Sequence, residues 1–209
     1  MKIRLGRADI VILADAHNPS IVSPMWLKEK ELIVEEPKQF IHTPDFSLFE
    51  SESFLLVVDR QRLQITAKKQ DPDSLEKLAN VGKKYIELLP HIPYRALGLN
   101  FVWFAEMDED GYLPKINVII DSINDLSSIL PEHEIDYGCI IYASKKPYLL
   151  KLTINPQGGN AIVFNFNYHH EVKGLEIDVI ANYIDTLLSL YRYSEKIVEK
   201  ICSGREEND

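Results

Sequence analysis

The run FLLVVDRQRLQITAKKQDPDSLEKLANVGKKYIELL, residues 54–89, changes its period half-way. Positions 54–58 are apolar throughout, and 59–61 read as a tight turn. From 62 to 68 the pattern alternates. Leu63, Ile65 and Ala67 fall on one side and Arg62, Gln64, Thr66 and Lys68 on the other, which is the period of a strand with one wet face. The spacing then lengthens to three and four, so that Leu75, Leu78, Ala79, Gly82, Tyr85, Ile86 and Leu89 make one stripe of an amphipathic helix. Asp73 or Ser74 is the expected N-cap, and Glu76 suits the positive end of the helix. Pro90 and Pro93 stop it. Gly82 lowers helix propensity by about 1 kcal/mol relative to Ala. Its place in the stripe implies a close approach of helix to sheet.

The same order of elements returns at 148–202. Strands are expected at 139–143, 148–154 and 161–168, with turns at Lys145-Lys146-Pro147 and at the loop holding Gly158-Gly159. In the last strand Ile162, Phe164, Phe166 and Tyr168 share a face. A final helix from about 175 carries Ile177, Ile180, Ala181, Ile184, Leu187, Leu188, Tyr191, Val198, Ile201 and Cys202. As one helix it would be roughly 40 Å long, so its distal turns are expected to overhang the sheet.

Between the two copies, 95–106 is the strongest strand, with Leu97, Leu99, Phe101 and Trp103 on one face and a nearly apolar second face. Ahead of them a buried strand is expected at 9–14, then a Pro-broken loop containing Trp26, a short strand at 31–36, and a loop at 42–46. Asp108-Glu109-Asp110-Gly111 reads as a turn, and 116–130 as a helix capped by Asp121 or Ser122 and ended by Pro131. The expected fold is α+β: an antiparallel sheet of two similar strand–strand–helix halves, with the helices packed on one face. The expected organisation is one domain over 1–202, with halves 1–92 and 93–202, and a disordered acidic tail at 203–209.

Composition narrows function by exclusion. The chain has 209 residues, is 45% hydrophobic and carries a net charge of -9, which suits one large globular domain and repels phosphate backbones. Nucleic acid is therefore disfavoured. The pairs Lys68/Lys69, Lys83/Lys84 and Lys145/Lys146 are small, scattered and read as solvated. Cys139 and Cys202 lack a CxxC partner, so a cytoplasmic location is expected. No stretch is long and apolar enough for a signal peptide or a membrane span.

Few motifs carry chemistry. Asp15 and His17 would share a face if the first strand continued through them, as a metal pair or acid–base couple does, but with no second ligand pair nearby a loop-capping Asp beside a solvated His is the favoured reading. In His169-His170-Glu171 the two histidines must point to opposite faces, whereas His169 and Glu171 can share one. Glu132-His133-Glu134 lies in a polar loop. Asp108-Glu109-Asp110-Gly111 resembles the opening of a calcium loop, but Ile119 stands where its bidentate Glu belongs. Gly158-Gly159 has no phosphate-loop context, and no GxSxG is present. No catalytic, metal or cofactor residue is assigned from the sequence.

The run Ile92-Pro93-Tyr94-Arg95-Ala96-Leu97-Gly98-Leu99-Asn100-Phe101 resembles a sporadically distributed family of uncharacterised prokaryotic proteins, in which a Gly-Leu-x-Tyr-like strand follows a long helix. Phe101 stands where that pattern has Tyr. The resemblance implies a similar α+β fold and no activity.

The sequence thus points to a cytoplasmic binding or interaction protein without catalysis, engaging a protein partner or a second copy of itself. The expected contact residues are Tyr191, Tyr193 and Val198 on the last helix and Trp26 in the N-terminal loop. The alternative is a hydrolase or nuclease-like enzyme with a dispersed site drawing on Asp15, His17, His169 or Glu171.

Overall fold

A computed structural model describes residues 1–106, 138–158 and 160–203. The expected turn at 108–111, the helix at 116–130, Glu132-His133-Glu134, Gly159 and the tail beyond Ser203 lie outside the described residues.

Among the described residues nine strands form one antiparallel sheet. They are β1 (Lys2–Ala14), β2 (Gln39–Thr43), β3 (Phe46–Glu50), β4 (Phe54–Asp59), β5 (Arg62–Ala67), β6 (Tyr94–Glu106), β7 (Cys139–Lys145), β8 (Tyr148–Pro156) and β9 (Ala161–Glu171). Their order across the sheet is β2-β3-β4-β5-β1-β6-β9-β8-β7. The helices are a short α1 (Pro24–Glu29), α2 (Pro72–Leu88), α3 (Ile177–Asp185) and α4 (Leu187–Ser203). The α+β class and the antiparallel sheet agree with the sequence reading. No described helix is long and apolar enough to cross a membrane.

β1 begins earlier than its hydrophobic pattern implied, because a bulge breaks the alternation. Register with β6 shifts between Leu5 and Arg7. Leu5 before the bulge and Ala8, Ile10 and Ile12 after it are all buried, so the parity flips at Gly6. A Cβ on Gly6 would lie 2.1 Å from the Phe104 ring. The segment 31–36, expected as a strand, is irregular: Glu31 has a positive φ of 49° and the amides of Leu32 and Ile33 both bond the Leu27 carbonyl. The loop expected at 42–46 is present but tighter: Pro44 and Asp45 turn the chain between β2 and β3, and residues 42, 43 and 46 belong to the strands.

The helices cover one face of the sheet. α2 starts two or three residues earlier than expected: Asp71 is the N-cap, accepting from the Ser74 amide at 2.9 Å, and Pro72 occupies the first helical position. Its buried side includes Leu75, Leu78, Tyr85 and Ile86. Gly82 does lie at a close approach, since a Cβ there would sit 2.9 Å from Ile10 Cδ1 on β1 and 3.8 Å from Ile184 on α3. Gly82→Leu should therefore cost about 1–3 kcal/mol by overpacking, measured by urea unfolding. An unchanged midpoint would mean that α2 can lift off β1 freely.

The single long C-terminal helix is corrected to two. The Thr186 hydroxyl donates to the Tyr183 carbonyl at 2.7 Å and the Ser189 hydroxyl to Thr186 at 2.7 Å. Such bonds compete with the helical ladder and bend it. After this break α4 crosses β6, where the Trp103 indole donates to Ser194 Oγ at 2.8 Å. Val198 and Cys202 are buried, so the distal turns lie on the core and do not overhang it.

Candidate functional site

The face away from α2, α3 and α4 has a polar centre. Asp9, Asn100 and Asn167 are direct register partners on the three adjacent strands β1, β6 and β9. Each belongs to the parity opposite the core residues, so their side chains meet on the uncovered face. Asn100 Nδ2 donates to Asp9 Oδ1 at 2.7 Å, and Asn167 Nδ2 donates to Asn100 Oδ1 at 2.5 Å. A carboxylate only accepts, so Asp9 fixes the direction of both amides. On the other side, Arg7 Nε stands 3.0 Å from Asp9 Oδ2. This is an ion pair without hydrogen-bond alignment, and Oδ2 has no hydrogen-bond partner.

Asp9 is 2% exposed although no described helix covers this face. Burial pushes its carboxyl above the usual range, against the opposing pull of Asn100, then Arg7 and Arg62. A desolvated carboxylate in the middle of a sheet is a costly choice where an aliphatic side chain would serve.

Beside this row lies a trough of about 480 Å³. Its floor on β6 is made of small residues, Ala96 and Gly98. Val11 and Leu13 of β1 and His169 of β9 form the sides, and Arg62 and Gln64 of β5 reach in from the rim. A Cβ on Gly98 would meet Asn167 Nδ2 at 3.2 Å and Asn100 Nδ2 at 3.6 Å, so glycine keeps the amides uncovered. A second hollow continues along Arg7, Lys151, Thr153 and Asn165.

The residues singled out from the sequence fall in separate places. Asp15 is exposed, lies 3.1 Å from Arg95 Nε, and lines a different cavity of about 400 Å³ with Tyr94 and Ile177. His17 is buried, with its ring nitrogens 3.1 Å from the Tyr85 hydroxyl and 3.1 Å from the Ile12 carbonyl. β1 ends at Ala14, so Asp15 and His17 do not share a strand face and do not converge. His169 Nε2 lies 2.9 Å from Glu171 Oε1 on the uncovered face, while His170 is buried on the opposite one.

Of the expected contact residues, Val198 is buried, Tyr191 stacks on Trp103 at 5.4 Å, and Trp26 packs partly buried against the core. Tyr193 is 51% exposed. Among the described residues no three His, Cys, Asp or Glu side chains stand close enough together to hold a metal ion.

The sequence reading passed over Asp9, Gly98, Asn100 and Asn167. Each interrupts an apolar strand at a position of wet-face parity, which is how an ordinary solvated face also looks. No protein-family model matches this chain, and no curated protein is similar to it in sequence.

Proposed function

We propose that this is a non-catalytic, cytoplasmic binding protein whose binding surface is the uncovered face of the sheet, centred on Asp9, Asn100 and Asn167. The observation that supports this reading is the buried carboxylate on a face that no described helix covers. It sets the direction of two amides and pairs with a guanidinium beside a glycine-floored trough. The trough volume lies within the span of small-molecule sites, about 300–1,000 Å³. The hydrolase reading loses support, since Asp15 and His169 line different cavities.

A thermal-shift screen of the full chain against small polar compounds tests the proposal, run in parallel on Gly98→Val. Valine suits a strand and fills the trough. At least one compound should raise the melting temperature of the wild type and leave Gly98→Val unmoved. Equal shifts in both proteins would remove the trough from the account.

We also infer that the sheet is two similar halves, 1–92 and 93–202, joined at the β1–β6 pair. In support, β5, β4 and β3 follow outward from β1 in the order in which β9, β8 and β7 follow from β6. Each set precedes a helix in the chain. Superposing β1, β3–β5 and α2 on β6, β7–β9 and α3 should align strand directions; misaligned directions would end this inference.

A second reading, self-association, is favoured by the outer strand β7. Ile140 is 54% and Tyr142 64% exposed there, and no described strand pairs with its far edge. Light scattering should give a dimer that Ile140→Lys dissociates; a monomeric wild type would end this reading.

A further inference from the structure

We propose that the trough binds a small organic anion, with its carboxylate or phosphoryl group between Arg7 and Arg62 and its body over Gly98 and Ala96. This rests on the reading of the uncovered face as a binding surface. It follows from what the trough offers and what it withholds.

The trough offers donors. Each Asn amide has two N–H groups, and Asn100 and Asn167 each use one within the row. Gly98 leaves the others uncovered. Arg7 spends its Nε side on Asp9, and the rest of its five-donor fork remains. Arg62 is held at 2.8 Å by Gln64 Oε1, a neutral group, and makes no ion pair among the described residues. Arg60 and Arg95, by contrast, each face a carboxylate. Lys151 extends the positive edge along the adjoining hollow.

The trough withholds negative charge. Among the described residues its one acidic lining residue is Asp9, whose Oδ2 is buried and paired to Arg7. The exposed carboxylate of Glu171 stands outside this lining, with Oε1 2.9 Å from His169 Nε2. The chain as a whole is at -9, whereas the described lining of the trough holds two guanidiniums and one buried carboxylate. Guanidinium forks match carboxylate and phosphoryl oxygens in geometry as well as charge. Val11 and Leu13 line one side with apolar surface, which suits an organic body better than a bare inorganic ion.

The test is a nitrogen-15 NMR titration of the full chain with four probes that share one ring: benzoate, phenyl phosphate, benzyl alcohol and benzylammonium. Ionic strength is held constant to fix screening. The anions should move the side-chain amide signals of Asn100 and Asn167, and Arg62→Gln should weaken that response by about tenfold or more. The stronger of benzoate and phenyl phosphate identifies the charged group. If benzyl alcohol or benzylammonium moves the same amides as strongly as the anions do, the anion inference is overturned while the binding surface stands. If no probe moves them, the anion inference also falls, and the thermal-shift screen decides the surface separately. An unchanged response in Arg62→Gln would overturn the role given to that arginine.

Discussion

Trp103→Ala is expected to lower the unfolding free energy by about 3–5 kcal/mol. Trp103 is 2% exposed in the last third of β6 and carries three kinds of contact at once. Its ring stacks on Tyr191 at 5.4 Å and 17°. Its indole N–H donates to Ser194 Oγ at 2.8 Å, and that hydroxyl donates on to the Tyr191 carbonyl at 2.7 Å. Its strand neighbour Leu5 closes the core beside the bulge. Truncation empties a large volume and strips the partner from a buried hydroxyl, and the bent helix α4 loses its anchor to the sheet. Urea unfolding at pH 7 measures the loss. A cost below about 0.5 kcal/mol, the range of an ordinary surface change, would show that α4 is held elsewhere.

Acid should weaken the fold by about 3 kcal/mol through His170 alone, between roughly pH 6.5 and 4. His170 is fully buried, stacked on Tyr183 at 4.7 Å with Tyr148 edge-on at 5.7 Å. Neither ring nitrogen makes a well-aligned hydrogen bond; the Pro147 carbonyl only approaches the ring. Burial holds its pKa down to about 4, the neighbouring His169 adds to this, and the Pro147 carbonyl works against it. The unfolded chain binds the proton near 6.5 and the folded one only near 4. The stabilising effect of the neutral ring is therefore fully present above pH 6.5 and is lost as pH falls through that window. His17, also lowered by burial, acts with the same sign. Asp9, with its carboxyl raised, acts in the opposite sense at the acid end. His170→Phe keeps the stacking surface and removes the titration, so unfolding free energies at pH 7 and pH 4.5 should differ much less in the variant. An equal pH dependence in wild type and His170→Phe would assign the acid sensitivity to other groups.

Period and punctuation carried most of the architecture. Leu63, Ile65 and Ala67 alternate because β5 has one covered face, and Ile162, Phe164, Phe166 and Tyr168 do the same on β9. Where readings failed, a local bond had overridden a pattern. The stripe from Ile177 to Cys202 is continuous in sequence, yet two hydroxyl-to-carbonyl bonds at Thr186 and Ser189 divide it. That division lays Tyr191 and Val198 on the core. The Gly6 bulge hid the first half of β1 for the same kind of reason. The candidate site was the hardest to read, because Asp9, Asn100 and Asn167 are 91 and 67 positions apart and meet only through strand order. Asp9 looks solvated in a sequence; its burial is a property of the assembled sheet.

The central claim is that this polar row serves recognition rather than the fold. Unfolding of the double variant Asp9→Val/Asn100→Val in urea at pH 7 tests it most directly. Replacing a buried charge by apolar groups of similar volume is often neutral, or stabilising by about 1–4 kcal/mol, and valine suits the strand. The expected result is an unfolding free energy equal to or above that of the wild type, with the thermal-shift response to trough ligands abolished. A loss of about 3 kcal/mol or more would contradict the claim and make the row a structural element of the sheet.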